Sequence, residues 1–328
     1  MGKIIKPVIV APLVVVLLAC VPLVLRLPFP LHIMIMIFLY TVVGTSWNIL
    51  SGYAGQISLG QSVFMGIGAY TSTILLVQFG VSPWIGLLAG ILTTVAFGCL
   101  IGIPCFRLQG RYFAIATMAV VQIAYIVVSR WEFAGGARGM SLPMKEWGLA
   151  VFAFREKAPY YYISLIMALI AIGALLFIDR THIGYYLKTI REDEDAARAL
   201  GLNVPKYKMI AMIISTALAG MAGTFFAQYL LFIDPDSVFM LSVPIMLTTV
   251  MGGTGHMFGP LVGAAVLLPL QEIARVYWSG SGRAIDQLAY GILIVLMVVL
   301  QPQGILGMVE NLRSRSRARA HRAEKMAA

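Results

Sequence analysis

The chain alternates long apolar runs with short polar joints. The runs fall at Val8–Leu25, Leu31–Leu50, Ser62–Phe79, Pro83–Ile103, Tyr112–Ser129, Tyr160–Ile178, Met209–Leu230, Phe258–Ile273 and Ala284–Leu300. A helix rising about 1.5 Å per residue needs about 20 apolar residues to cross a bilayer core of about 30 Å. Each run therefore reads as a spanning helix, nine in all. A tenth run, Leu241–Met251, is too short to cross as an ordinary helix and ends in the glycine-rich string GGTGHMFG at Gly252–Gly259. It reads as half of a broken or tilted span, tolerable only where its freed backbone groups are buried in protein or line a cavity. The pattern predicts an all-α fold, a polytopic integral membrane helical bundle of about nine or ten transmembrane segments.

Two departures from plain apolar runs carry further information. Small residues recur four apart at Gly86 and Gly90, Gly98 and Gly102, Ala219 and Gly223, and Gly255, Gly259 and Gly263. Such stripes let helices approach closely. Packing alone is a less complete account of SGYAGQISLGQSVFMGIGAYT, where Ser51, Gln56, Ser58, Gln61 and Ser62 enter the membrane beside five glycines. Polar groups on flexible backbone there predict a broken start to a span or a wall of a solute path, with Gln56, Ser58 and Gln61 on or near that path or a subunit interface. Gly52 and Gly55 faintly echo Gly252 and Gly255 without establishing a repeat.

The other departure is DRTHIGYYLKTIREDEDAARALGLNVPKYK at Asp179–Lys208, which holds eleven of the thirty-eight Lys, Arg, Asp and Glu side chains. Thr189–Leu200 reads as one short helix, stopped by Gly201, with Pro205 just beyond. Leu187, Ile190, Ala197 and Leu200 fall near one face, and Arg191, Glu192, Asp193, Glu194 and Asp195 dominate the rest. The helix would lie across a membrane surface and present charge to water or to a soluble partner. From amphipathicity alone it reads as a solvated cytoplasmic loop.

Composition agrees with the pattern: 60% of residues are hydrophobic, 12% are charged and the mean hydropathy is +0.88, outside the soluble range. With Leu241–Met251 counted as a crossing and the N-terminus inside, sixteen of the twenty-four basic residues are cytoplasmic. The positive-inside rule then places both termini and the charged segment in the cytoplasm. The net charge of +10 implies no nucleic acid, and its C-terminal concentration suits an anionic lipid leaflet. The chain divides into a transmembrane domain over 1–312 and a basic cytoplasmic tail over 313–328. LLAC at Leu17–Cys20 resembles a lipoprotein cleavage site, but Leu18 fits poorly and further spans follow, so the first run is expected to be an uncleaved anchor. Cys20, Cys99 and Cys105 have no metal-ligand spacing and read as packing residues.

No G-x-x-x-x-G-K-[ST], HExxH or paired-cysteine motif occurs, and no catalytic dyad is recognisable. His32, His182, His256 and His321 are scattered, and no acidic residue lies near the middle of a run, where an ion-coupled carrier usually places one. No catalytic residue, metal or cofactor is expected in this chain.

The motif DAARALG at Asp195–Gly201, preceded by Glu194, resembles the EAA-type loop of ABC-importer permeases. With NILSGYAGQISLGQSVFMGIGAYT at Asn48–Thr71, GRYFAIATMA at Gly110–Ala119 and GGTGHMFGPLVGA at Gly252–Ala264, the chain is similar to LivM-type permeases of branched-chain amino-acid importers from about Leu31 to Gly307. Arg138 departs from that pattern, since the family's glycine-rich external string has a small polar or acidic residue there. The resemblance implies a bacterial inner-membrane permease domain whose cytoplasmic coupling helix, about 187–201, docks on an ATPase through Glu194, Asp195, Ala196, Ala197 and Gly201. It implies a LivH-type permease partner, two ABC ATPase subunits that bind the ATP, a periplasmic amino-acid-binding protein and contact with membrane lipid. Urea, amides and aromatic acids remain alternative solutes. An ion-coupled secondary transporter and a membrane-embedded enzyme remain rivals from other classes.

Overall fold

The structure, a computed structural model, describes residues 16–22, 27–108, 110–142, 148, 152–278, 291 and 304–308. The run Ala284–Leu300, apart from Gly291, and most of Val8–Leu25 lie outside these, as does the tail over 313–328. A short helix, α1, covers 16–22 and is held by Tyr161, whose hydroxyl donates to the Leu18 carbonyl at 2.7 Å.

Helix α2 (Pro28–Trp47) begins at a proline after an extended Leu27, which suits a missing N–H and a fixed φ. It continues as a π-helical turn, Asn48–Tyr53, and then unwinds over 54–60 before α3 (Gln61–Phe79). Then follow α4 (Pro83–Cys105), α5 (Arg111–Arg130), α6 (Lys157–Arg180), α7 (His182–Glu192), α8 (Glu194–Ala199), α9 (Val204–Leu230), α10 (Pro235–Phe239), α11 (Ser242–Gly252) and α12 (Gly259–Trp278). At the end of the bundle away from α7 and α8, Met140–Ser141 (β1) and Phe232–Ile233 (β2) pair antiparallel, Met140 opposite Ile233.

Among the described residues, seven helical segments are long and apolar enough to span a membrane: Pro28–Tyr53, Gln61–Phe79, Pro83–Cys105, Arg111–Arg130, Lys157–Arg180, Val204–Leu230 and Pro235–Gly252. The protein is a multi-pass helical membrane protein. The expected short run Leu241–Met251 is α11, joined after a break at Met240 and Leu241 to α10, so the two pieces together reach spanning length. In α12 the apolar stretch Gly259–Ile273 is shorter than the other spans.

Helices α2 and α9 form the centre, with α3 and α4 on α9 and α6 on α2. The buried face of α4 is Gly86, Gly90, Thr94, Gly98 and Gly102, the four-apart stripe of the sequence. A Cβ at Gly90 would sit 2.7 Å from Thr224 Oγ1, and one at Gly98 2.6 Å from Thr216 Cγ2, so α9 reaches the backbone of α4 only because these positions are bare.

The charged segment corrects one expectation. Thr189–Leu200 is two helices, not one. Asp193 adopts an extended conformation (φ −154°, ψ 112°), and its carboxylate accepts from the N–H groups of Asp195 and Ala196, each at 2.9 Å. A short acidic side chain that can satisfy the first N–H groups of a helix competes with continuing the previous one. The break resets the helical phase. Leu187, Ile190 and Ala197 are buried as expected, but Leu200 is 77% exposed.

Candidate functional site

Two features at one end of the bundle converge: the α7–α8 arm and a pair of backbone breaks.

The arm is seated on α9. Ala197 is buried with Ile190 and Val204, against Leu202 and Tyr207. The chain leaves α8 through Gly201, whose φ of +82° is the left-handed conformation expected of a glycine stop. Gly201 N–H donates to the Arg198 carbonyl (2.9 Å) and Leu202 N–H to the Ala197 carbonyl (3.1 Å), the paired bonds of a Schellman cap. Asn203 then caps α9 at Lys206 N–H, 3.2 Å, with Pro205 in its first turn.

Glu194 does not simply face outward. One carboxylate oxygen receives Lys208 Nζ at 2.6 Å and the other receives Arg198 Nη2 at 2.5 Å. Lys208 lies on α9 with a side chain 1% exposed, so this pair fastens α8 to the central helix. Asp195 pairs with Arg198 at 3.2 Å on the surface, where such a contact contributes little. Of the five residues expected to form the docking face, Asp195 and Ala196 are exposed, Glu194 is mostly covered and Ala197 is buried within this chain. Gly201 shapes the exit. Sequence reasoning put Leu200 on the apolar face with Ala197; because the helix ends before it, the side chain is instead exposed next to the cap.

The breaks lie beside the arm. The first is the π-helical turn with 54–60, and the second is 253–258, between α11 and α12. Asn48 joins them: its Nδ2 donates to the His256 carbonyl (2.9 Å) and its Oδ1 accepts from Gly255 N–H (2.8 Å). Between them opens a cleft of about 460 Å³ lined by Trp47, Ser51, Gly52, Ile57, Arg191, Met246, Val250 and Thr254. Apolar walls with a few polar groups and one cation suit a small amphiphilic solute.

Gln56, Ser58 and Gln61 are buried and none lines this cleft, although Ser51 and Ile57 beside them do. Ser58 Oγ accepts from Gly60 N–H at 3.1 Å, and its carbonyl accepts from Trp47 Nε1 at 2.7 Å. Gln61 Nε2 donates to Ser215 Oγ at 3.0 Å and to Ser46 Oγ, tying α3, α2 and α9 together in the interior. Of the three, Ser58 braces a lining residue, Trp47. Among the described residues no three His, Cys, Asp or Glu side chains gather closely enough to hold a metal ion.

Comparison with known proteins gives the family. Residues 29–300 match the family described as branched-chain amino acid transport system / permease component. The chain is 32% identical to the high-affinity branched-chain amino acid transport system permease protein LivM of Salmonella typhimurium, covering 83% of this chain and 69% of the relative. It is equally identical, at 32%, to LivM of Escherichia coli over 82% of this chain and 68% of the relative. It is 24% identical to the LivH permease protein of Escherichia coli over 83% of this chain and 92% of the relative. No solved structure matches. A bundle with spans broken around a cleft and a charged arm at one end thus has a family to which it belongs: the chain is a member of the permease components of branched-chain amino acid transport systems.

Proposed function

We propose that this chain is the LivM-type permease subunit of an ATP-driven importer of branched-chain or related hydrophobic amino acids in a bacterial inner membrane. It works beside a LivH-type permease, receives solute from a periplasmic binding protein, and is driven by two ATPase subunits that bind the ATP. Both termini and the α7–α8 arm face the cytoplasm, a reading supported by the bias of Lys and Arg.

The observation that carries this reading is the construction of the arm. Its outer face, Asp195, Ala196, Ala199 and Leu200, is exposed, while Glu194 and Ala197 fix its inner face to α9. A merely solvated loop needs no such anchorage. An element that must transmit force needs a partner-facing side and a rigid attachment to the spans. Glu194 and Ala197 act from within the seat, Asp195 and Ala196 meet the ATPase, and Gly201 sets the exit angle. Gln56, Ser58 and Gln61 support the wall of the solute path.

The test is co-purification of the intact complex from its native membrane, reconstitution, and identification of the solute held by the soluble partner. The reading expects hydrolysis stimulated by the loaded binding protein and uptake of that solute. Solute uptake by this chain alone in an ion gradient would refute it.

A further inference from the structure

We propose that Arg191 is the positioning residue that ties the α7–α8 arm to both backbone breaks, so that a displacement of the arm is handed directly to the walls of the cleft. The proposal rests on the importer reading and specifies how the arm acts.

Arg191 is the last-turn cation of α7; its side chain is 37% exposed along one edge and reaches the bundle through Nη1. Nη1 donates to the Gly52 carbonyl at 2.8 Å, a contact spanning 139 residues of sequence. The stem lies on Gly55, where an added Cβ would sit 2.9 Å from Arg191 Cγ. The guanidinium lies against Gly255, where an added Cβ would sit 2.8 Å from Nη1. One glycine from each break thus keeps open the socket that the side chain fills. Because Asn48 bonds the two breaks to each other, a pull on the Gly52 carbonyl is shared with 253–258. Lys188 gives α7 a second hold on the same turn, its ammonium 5.2 Å from the centre of the Tyr53 ring.

The chemistry favours arginine. Nε and Nη2 are engaged by the exposed Glu192, at 3.3 and 2.8 Å, which leaves Nη1 for Gly52. A planar fork can hold a carboxylate and a carbonyl at once, and a lysine ammonium at the end of a flexible stem does so less rigidly. Arg191 also lines the cleft, so the link and the cavity it would deform share a residue. If the side chain let go of Gly52, the arm would keep its seat on α9 through Glu194 and Lys208 but hold the first break only through Lys188 over Tyr53 and lose its link to the second.

The experiment uses the full complex in lipid nanodiscs. Arg191→Gln is expected to retain the ATPase subunits and hydrolyse ATP while importing about tenfold less solute per ATP, within the range of ordinary coupling energies. Arg191→Lys should recover part of the loss. A parent-like ratio in Arg191→Gln would overturn the proposal, and so would loss of ATPase retention, which would make Arg191 a docking residue. A distance measurement keeps the test open should Arg191→Gln misfold. With Cys20, Cys99 and Cys105 replaced, spin labels at Ile57→Cys and Tyr185→Cys, the latter exposed on α7 and off the docking face, should keep one separation with and without ATP, because arm and break move together. A separation that shifts on ATP binding in the otherwise parent protein would overturn the link. A parent complex that holds no ATPase would remove the importer reading itself.

Discussion

At the scale of single residues, Lys208 carries a full side chain into a site with almost no water and meets one carboxylate, Glu194. The two members of the pair are not equivalent. Removing Glu194 strands a buried cation beside Arg198, and breaking a buried pair from one side typically costs about 3–5 kcal/mol. Removing the cation leaves Glu194 with Arg198 and a partly exposed edge. Glu194→Ala should therefore lower the melting temperature of the purified protein clearly more than Lys208→Met, and a reversed order would show that the pair is not the fastening. Gly201 gives a second contrast. An added Cβ meets nothing within 4 Å, so the whole penalty is backbone strain at φ +82°. Gly201→Val should cost about 1–2 kcal/mol, and Gly201→Asn, whose side chain tolerates that region, should cost less. Thermal melts of the two variants measure the difference.

At the scale of elements, the residues divide sharply into those whose role was legible and those whose role was not. The stripe Gly86, Gly90, Gly98 and Gly102 announced the buried face of α4, because its signal is local spacing. Gly201 was legible for the same reason. Asp193 was not: among four consecutive acidic residues it reads as one more charge on a helix, and only its two bonds to Asp195 and Ala196 N–H mark it as the cap that divides α7 from α8. The division changes what adjacent alanines do. Ala197 is sealed against Ile190 and Val204, and Ala196 is exposed. Ala197→Leu should overpack the seat and cost about 1–3 kcal/mol, seen as a lower melting temperature. Ala196→Leu should leave stability nearly unchanged but weaken capture of the ATPase in a pull-down. If both variants melt and bind like the parent, the arm is neither seated nor docked as described.

At the scale of the whole molecule, the distinctive contacts are those that sequence spacing cannot show. Glu194 reaches Lys208 fourteen residues away, and Asn48 reaches Gly255 across 207. The polar, glycine-rich character of 51–68 and 252–259 was legible. That the two strings meet was not, since a faint likeness between Gly52, Gly55 and Gly252, Gly255 says nothing about contact. Their meeting makes Asn48 the keystone of the cleft. Asn48→Ala would remove one acceptor and one donor at once and leave Gly255 N–H and the His256 carbonyl to find new partners. Both groups are part-buried, so the cost falls toward the lower end of the about 1–3 kcal/mol of an unsatisfied buried group, and the breaks should separate before the helices around them unfold. Cysteines at Ile57 and Thr254, which line the cleft, should react with a small water-soluble thiol reagent in the parent, and faster in the Asn48→Ala background. Gln61→Cys, buried between α2, α3 and α9, should stay slow in both. In the reconstituted complex the rates at Ile57 and Thr254 should also change with nucleotide, because the cleft lies where the arm, the breaks and α2 converge. Equal rates at all three positions in every nucleotide state would mean that the cleft is not part of the moving path.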